Sequence, residues 1–145
     1  MIKKNNIFII AEAGVNHNGS LKIAKKLVEC AAKAGADAIK FQTFDAKELV
    51  STNAKKMSHQ AKASKKLSQL ELLKRLELSY KDHIILKKYC KKFKIIFMST
   101  AFDIKSLNLL HNINIKIFKI PSSELNNLIY LKKIAGFKKK VILST

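Results

Sequence analysis

The chain has 145 residues, a formal net charge of +19 and 48 % hydrophobic residues. That is one ordinary domain with enough apolar material for a core, which excludes wholesale disorder. Four glycines, one proline and two cysteines exclude a low-complexity linker and a disulfide framework, and no apolar run approaches the roughly 20 residues of a membrane span.

The charge comes almost entirely from lysine, because Arg75 is the only arginine. Bidentate reading of guanine is therefore nearly closed to this chain. Its phenylalanines sit inside apolar runs and do not form an exposed stacking platform. The charge reads as a lysine-rich solvated surface that also attracts small anions, with no specific nucleic-acid partner. A basic nucleic-acid-associated protein is the alternative. The start, Met1 to Asn6, is basic, but the apolar stretch after it breaks at Glu12. It is not read as a signal peptide, and a cytoplasmic protein without membrane contact is expected.

Ile7-Phe8-Ile9-Ile10-Ala11 is a continuous apolar run, expected to be a strand buried on both faces. A polar loop follows, from Glu12 to Ser20, with Ser20 as a helix N-cap. Leu21, Ala24, Leu27, Val28, Ala31 and Ala32 share one helical face, and Gly35 closes that helix. Cys30 and Cys90 fall in such apolar helical patterns.

A second strand runs from Ala38 to Phe41, with Lys40 and Gln42 on one side and Phe41 on the other. Asp45 to Lys66 reads as a long loop with some helical content. Ser68-Gln69-Leu70-Glu71 is a capping box opening a short helix, and Ser79 opens another that carries Ile85, Leu86 and Tyr89. The third strand is Ile95 to Met98, and Asp103 caps the helix after it. The fourth ends at Ile120-Pro121, Asn126 and Asn127 precede a helix that Gly136 ends, and Val141 to Leu143 is the fifth.

Strands alternating with helices mean an α/β fold with a parallel sheet. The first strand-helix loop lacks G-x-G-x-x-G, which argues against a dinucleotide fold. Every strand instead ends in polar groups: Lys40, Gln42 and Thr43; Ser99 and Thr100; Lys119, Ser122, Ser123 and Glu124; Ser144 and Thr145. Polar ends on successive strands are the mark of a (β/α)8 barrel, whose sites gather at the C-terminal strand ends. Five strands make only part of such a barrel, and Ser144-Thr145 lies on a strand end. The expectation is the N-terminal portion of a larger barrel protein, or a truncated product.

Two lysines inside apolar strands are costly without a counter-charge, so Lys40 and Lys119 are read as ligand-binding. His17, between two asparagines, is read as organising its loop, since it lacks partners at metal-ligand spacing. His59, His83 and His111 are read as surface residues.

Five stretches together resemble the sialic acid synthase family, which includes N-acetylneuraminate, legionaminate and pseudaminate synthases. They are Glu12-Ala13-Gly14-Val15-Asn16-His17-Asn18-Gly19-Ser20, Lys40-Phe41-Gln42-Thr43, Phe97 through Asp103, Phe118 through Glu124, and Ile142-Leu143-Ser144-Thr145. The resemblance covers nearly the whole chain. The Ser68–Ser79 segment is most similar to legionaminate-type members.

The resemblance implies a (β/α)8 barrel followed by an antifreeze-like domain, and residues 1–145 are expected to hold only the N-terminal portion of the barrel, without the antifreeze-like domain. It implies condensation of phosphoenolpyruvate with an N-acetylated mannosamine-type sugar, with release of phosphate. Lys40, Thr100, Lys119, Ser122 and Ser144 match positions that hold phosphoenolpyruvate. Gln42 and Glu124 match positions facing the sugar, and Glu12 a carboxylate on the first strand. Glu124 is the expected general base and Glu12 the second choice. A divalent cation, manganese or magnesium, is implied for the complete enzyme, but the family's histidine ligands fall beyond residue 145.

Two positions depart from the family's pattern. Ser123 stands where glycine is usual, which raises the prospect of an unfavourable positive φ, and Ala101 stands where proline is usual. An inactive fragment of such an enzyme is therefore the second reading of function. An open arc also exposes strand edges and its inner face. Phe41, Ile117 and Ile142 are expected to meet water or a partner, with self-association or homo-oligomers as the result.

Overall fold

The same turn hands the chain from helix to strand three times. Helix α1 (Leu21–Lys33) ends at Ala34, and Gly35 takes φ +81°. The amide of Gly35 donates to Ala32 and that of Ala36 to Ala31, the paired bonds of a Schellman cap. Lys94, at φ +57°, and Asn114, at φ +55°, repeat this after the helices Tyr80–Lys92 and Ile104–Asn112. Each turn reverses the chain and delivers it into a strand within three residues.

The structure, a computed structural model, describes residues 7–50 and 67–145. Five strands are found among the described residues: β1 (Ile10–Gly14), β2 (Ala38–Thr43), β3 (Ile96–Ala101), β4 (Ile117–Ile120) and β5 (Lys140–Leu143). All neighbours pair in parallel and the order is β1-β2-β3-β4-β5. This sequential parallel order is that of a partial (β/α)8 barrel.

After α1 come a short α2 (Ala46–Leu49), α3 (Gln69–Leu76), α4 (Tyr80–Lys92), α5 (Ile104–Asn112) and α6 (Leu128–Gly136). Ser20, Ser68, Ser79, Asp103 and Asn127 each accept a backbone N–H at a helix start, and the last two serines before β3 complete capping boxes with Glu71 and Asp82. Most of the Asp45–Lys66 stretch, His59 included, lies outside the described residues.

The core lies between the sheet and its helices. Val28, Leu86 and Cys90 from the helices share one buried cluster with Ile39, Phe41, Phe97, Phe118 and Ile120 from the strands, and Leu107, Leu110, Tyr130 and Ile134 belong to the same cluster. Each fully buried side chain of this size contributes about 1.5–3 kcal/mol. Phe41 and Phe97 stack at 5.7 Å.

Two expectations fail here. Phe41 does not face water: it is fully buried on the helix side, because alternation with Lys40 and Gln42 turns it away from the inner face. Ile117 and Ile142, on that inner face, are half-buried. The first strand is not Ile7–Ala11 but Ile10–Gly14. Ile7, Phe8 and Ile9 are exposed, because pairing with β2 begins at Ile10 opposite Ala38. Ile9 holds the entry to β2: its amide donates to the Asp37 carboxylate and its carbonyl accepts from the amides of Asp37 and Ala38.

Candidate functional site

Parallel register places the polar residues side by side. Glu12 lies opposite Lys40, Gln42 opposite Thr100, Thr100 opposite Lys119, and Lys119 opposite Ile142. All of these sit at or near the C-terminal ends of their strands. Partners in register point to the same side, so the structure brings both lysines and the β3 hydroxyl to one face.

The Lys40 ammonium contacts Glu12 Oε2 at 2.5 Å and donates to Thr100 Oγ1 at 3.4 Å. Glu12 is half exposed while Lys40 is largely covered. The Lys119 ammonium donates to the Ile120 carbonyl at 2.8 Å and to Ser144 Oγ at 2.5 Å. Burial lowers the Lys119 pKa, the positive charge of Lys40 lowers it further, and Glu12 acts against both. The two cations are thus near enough to repel each other.

Gly14 lies beneath Glu12 and Gln42. A β-carbon there would stand 3.3 Å from Glu12 Oε1 and 3.6 Å from Gln42 Nε2. Its φ of +51° accompanies a register shift between Glu12 and Gly14. The strand therefore bulges where it presents its carboxylate. The polar loop expected from Glu12 onward is thus strand as far as Gly14.

Beyond β4, Pro121 starts a single 3₁₀ turn, Ser122–Glu124. Ser122 is exposed, and its hydroxyl makes no hydrogen bond among the described residues. Glu124 is half-buried, accepting from Asn127 Nδ2 at 2.7 Å and from Ser123 Oγ at 3.4 Å. The strain expected at Ser123 does not arise, because Ser123 is not among the residues with positive φ. Ala101 is buried at the end of β3, and its carbonyl accepts from the Tyr130 hydroxyl at 2.7 Å.

His17 is buried, and its Nδ1 accepts from the Gly19 amide at 3.0 Å, folding the β1–α1 loop back on itself. Burial lowers its pKa, with the His83 ring as the second cause. His83 is not a surface residue. It is buried on α4, with Nε2 2.8 Å from Thr43 Oγ1. His111 is exposed and stacks on Phe137 at 4.1 Å.

Two carboxylates anchor α2 beside the site, a role the sequence did not suggest for either. Asp103 accepts from the Asp45 amide at 2.8 Å, and Glu77 from the Ala46 amide at 2.6 Å. Asp103 is readable from sequence as an N-cap, but its reach across to the β2–α2 loop is not. Among the described residues no group of three His, Cys, Asp or Glu is placed to hold a metal ion. Nor is any helix there long and apolar enough to cross a membrane.

Comparison with known proteins gives the site its context. The NeuB family profile matches residues 27–145. The chain is 56 % identical over 138 residues to an N,N'-diacetyllegionaminic acid synthase of Campylobacter jejuni, covering 94 % of this chain and 41 % of that protein. It is 48 % identical over 139 residues to the enzyme of the same name from Legionella pneumophila, covering 95 % and 39 %. It therefore spans about two fifths of the length of these relatives. The crystal structure of an N-acetylneuraminic acid synthetase from Leptospira borgpetersenii, in complex with citrate, superposes with a TM-score of 0.81. That match has 37 % identity over 96 % of this chain and 44 % of that one.

Proposed function

The chain belongs to the NeuB family, and from that premise we propose that it forms the phosphoenolpyruvate-binding part of a synthase for a legionaminic or related sialic-type acid. The observation that carries the reading is the pair of mutually repelling ammonium groups, Lys40 and Lys119, flanking Thr100 at the strand ends. Glu12 balances one of the two positive charges, and a ligand with a carboxylate and a phosphate supplies the rest of the negative charge. Lysines serve as point charges for it, and the Thr100, Ser122 and Ser144 hydroxyls as donors.

In this reading the enol π pair of phosphoenolpyruvate bonds carbon 3 to the aldehyde carbon of an N-acetylated mannosamine-type sugar, the aldehyde C=O π bond breaks, and its oxygen takes up a proton as a hydroxyl. Water adds at carbon 2, and phosphate leaves. Glu124, oriented by Asn127, takes the proton of that water. Gln42 faces the sugar. Glu12, which holds Lys40 through an ion pair, yields it to the arriving anion. In the complete enzyme a divalent cation would polarise the aldehyde. The described residues do not form a site for it. In this reading residues 1–145 correspond to the N-terminal portion of the barrel domain.

The test is titration of the chain with phosphoenolpyruvate, followed calorimetrically at low salt. Binding is expected, and Lys119→Ala should weaken it about tenfold or more, the scale of one lost charge-assisted hydrogen bond. Glu124→Gln should leave that affinity unchanged. Absence of binding by the parent chain, or indifference to Lys119→Ala, would overturn the assignment.

A further inference from the structure

Three buried polar side chains on the helix side of the sheet have no part in the proposed reaction. Thr43 Oγ1 lies 2.6 Å from Ser99 Oγ and 2.8 Å from His83 Nε2, and His83 Nδ1 lies 2.8 Å from the Ser79 carbonyl oxygen. All three side chains are buried. The groups themselves set the proton positions. A carbonyl only accepts, so Nδ1 carries the hydrogen. Burial lowers the His83 pKa, which favours the neutral ring, and in that form Nε2 accepts. Thr43 donates to Nε2, and Ser99 donates to Thr43. The chain of bonds runs one way and ends on the N-cap residue of α4.

Filling space does not require these groups. Valine, alanine and leucine would occupy similar volumes at 43, 99 and 83. Replacing a whole buried network by apolar side chains is often neutral or stabilising. What a satisfied network does is hold groups in one arrangement. Its placement matters here. Thr43 follows Gln42 directly, and Ser99 precedes Thr100, which receives the Lys40 ammonium. Alternation sends one set toward the helices and the other toward the site from the same two strands.

We propose that Ser99, Thr43 and His83 are positioning residues, whose hydrogen-bonded chain ties the ends of β2 and β3 to the first turn of α4 and so sets where Lys40, Gln42 and Thr100 stand for an anionic ligand. The inference rests on the proposed function for the identity of the ligand, but not for the geometry.

The experiment uses the full chain with His83→Leu, His83→Gln and the triple variant Thr43→Val, Ser99→Ala, His83→Leu. It has three readouts: the Thr100 methyl signal by NMR, the imidazole nitrogen shifts, and affinity for phosphoenolpyruvate. The hydrogen is expected on His83 Nδ1. His83→Leu should move the Thr100 methyl signal and weaken phosphoenolpyruvate about tenfold. His83→Gln, whose amide oxygen can still accept from Thr43, should restore most of both. The triple variant should fold as well as the parent yet keep the displaced signal. An unmoved Thr100 signal in a folded triple variant would overturn the proposal. So would a hydrogen on Nε2, or His83→Gln behaving like His83→Leu. If no variant folds, the network is a folding requirement and the positioning role falls. If the parent does not bind phosphoenolpyruvate, the proposed function fails, and the Thr100 signal alone decides this inference.

Discussion

Gly19 makes a closer approach than any other residue type allows. Its φ is +73°, and a β-carbon there would stand 2.0 Å from the Arg75 carbonyl oxygen. The β1–α1 loop thus lies directly on the backbone at the end of α3. Gly35 is the natural control, because its φ is +81° and a β-carbon there meets nothing within 4 Å. Both alanine variants bear the left-handed backbone cost of about 1–3 kcal/mol, and only Gly19→Ala adds a clash. Urea denaturation should therefore rank Gly19→Ala as clearly the more destabilising. Equal losses would mean that the loop gives way freely. The same loop carries His17, which with His83 ties stability to pH. Burial is the main cause lowering both histidines from their ordinary 6.5. Asp82 opposes the shift at each, and the Ser79 carbonyl opposes it at His83. A lowered folded pKa means that the unfolded chain takes up protons first as pH falls. The stabilising contribution is therefore full above about 6.5 and is lost as pH drops below it toward the folded values. Denaturation midpoints at pH 7.5 and 5.5 should differ in that sense, and His83→Gln should reduce the difference (pH values set about one unit either side of the reference). His83 was misread from sequence because it sits among Lys81, Asp82, Lys87 and Lys88. The clue was that Thr43 and Ser99 alternate to the apolar side of their strands and so require a buried partner there.

At the scale of elements, helix starts were far more legible than helix ends. Ser20, Ser68, Ser79 and Asp103 carry side chains whose oxygen accepts an N–H, so residue type and role coincide. The ends are set by a left-handed residue after the C-cap. Gly35 announces one, but Lys94 and Lys138 do not, because nothing in a lysine side chain favours that conformation. In a chain with four glycines the helix-to-strand turns force lysine into it. Lys94→Gly should consequently stabilise the protein. The left-handed penalty of roughly 1–2 kcal/mol is removed, and glycine's extra unfolded-state entropy offsets about 0.5–1 kcal/mol of that. A net gain of about 0.5–1 kcal/mol in urea denaturation is expected. A loss would show that the aliphatic stem of Lys94 contributes more by packing than its backbone costs. The strand boundaries were blurred for a different reason. Ile7 to Ile9 are as apolar as any strand, but pairing begins where the α1–β2 turn lets β2 begin.

The molecule as a whole combines a high charge with uncovered apolar surface. Strand-helix alternation was sufficient to read the parallel barrel order, because each polar strand end repeats at the same point of the unit. Which apolar residues stay exposed was harder to read, since that depends on the presence of a neighbouring element. Leu128 is 68 % exposed and Ile129 75 % at the start of α6, and Val141 and Leu143 on β5 are 43 % and 50 % exposed. Among the described residues β5 pairs only with β4. Apolar surface of this kind favours association, while a net charge of +19 opposes it by repulsion between copies. Repulsion is screenable and apolar contact is not: the screening length falls from about 10 Å at 0.1 M salt to about 3 Å at 1 M. The balance should therefore tip with ionic strength. Sedimentation velocity should show monomers below about 0.05 M salt and association at about 0.5 M. Ile129→Lys should move the onset to higher salt, because it removes apolar surface and adds charge at one position. A chain that stays monomeric at both salt concentrations would mean that these side chains do not form a continuous adhesive surface. Association that weakens with added salt would instead identify the contact as ionic, and the ten acidic residues would be the place to look for it.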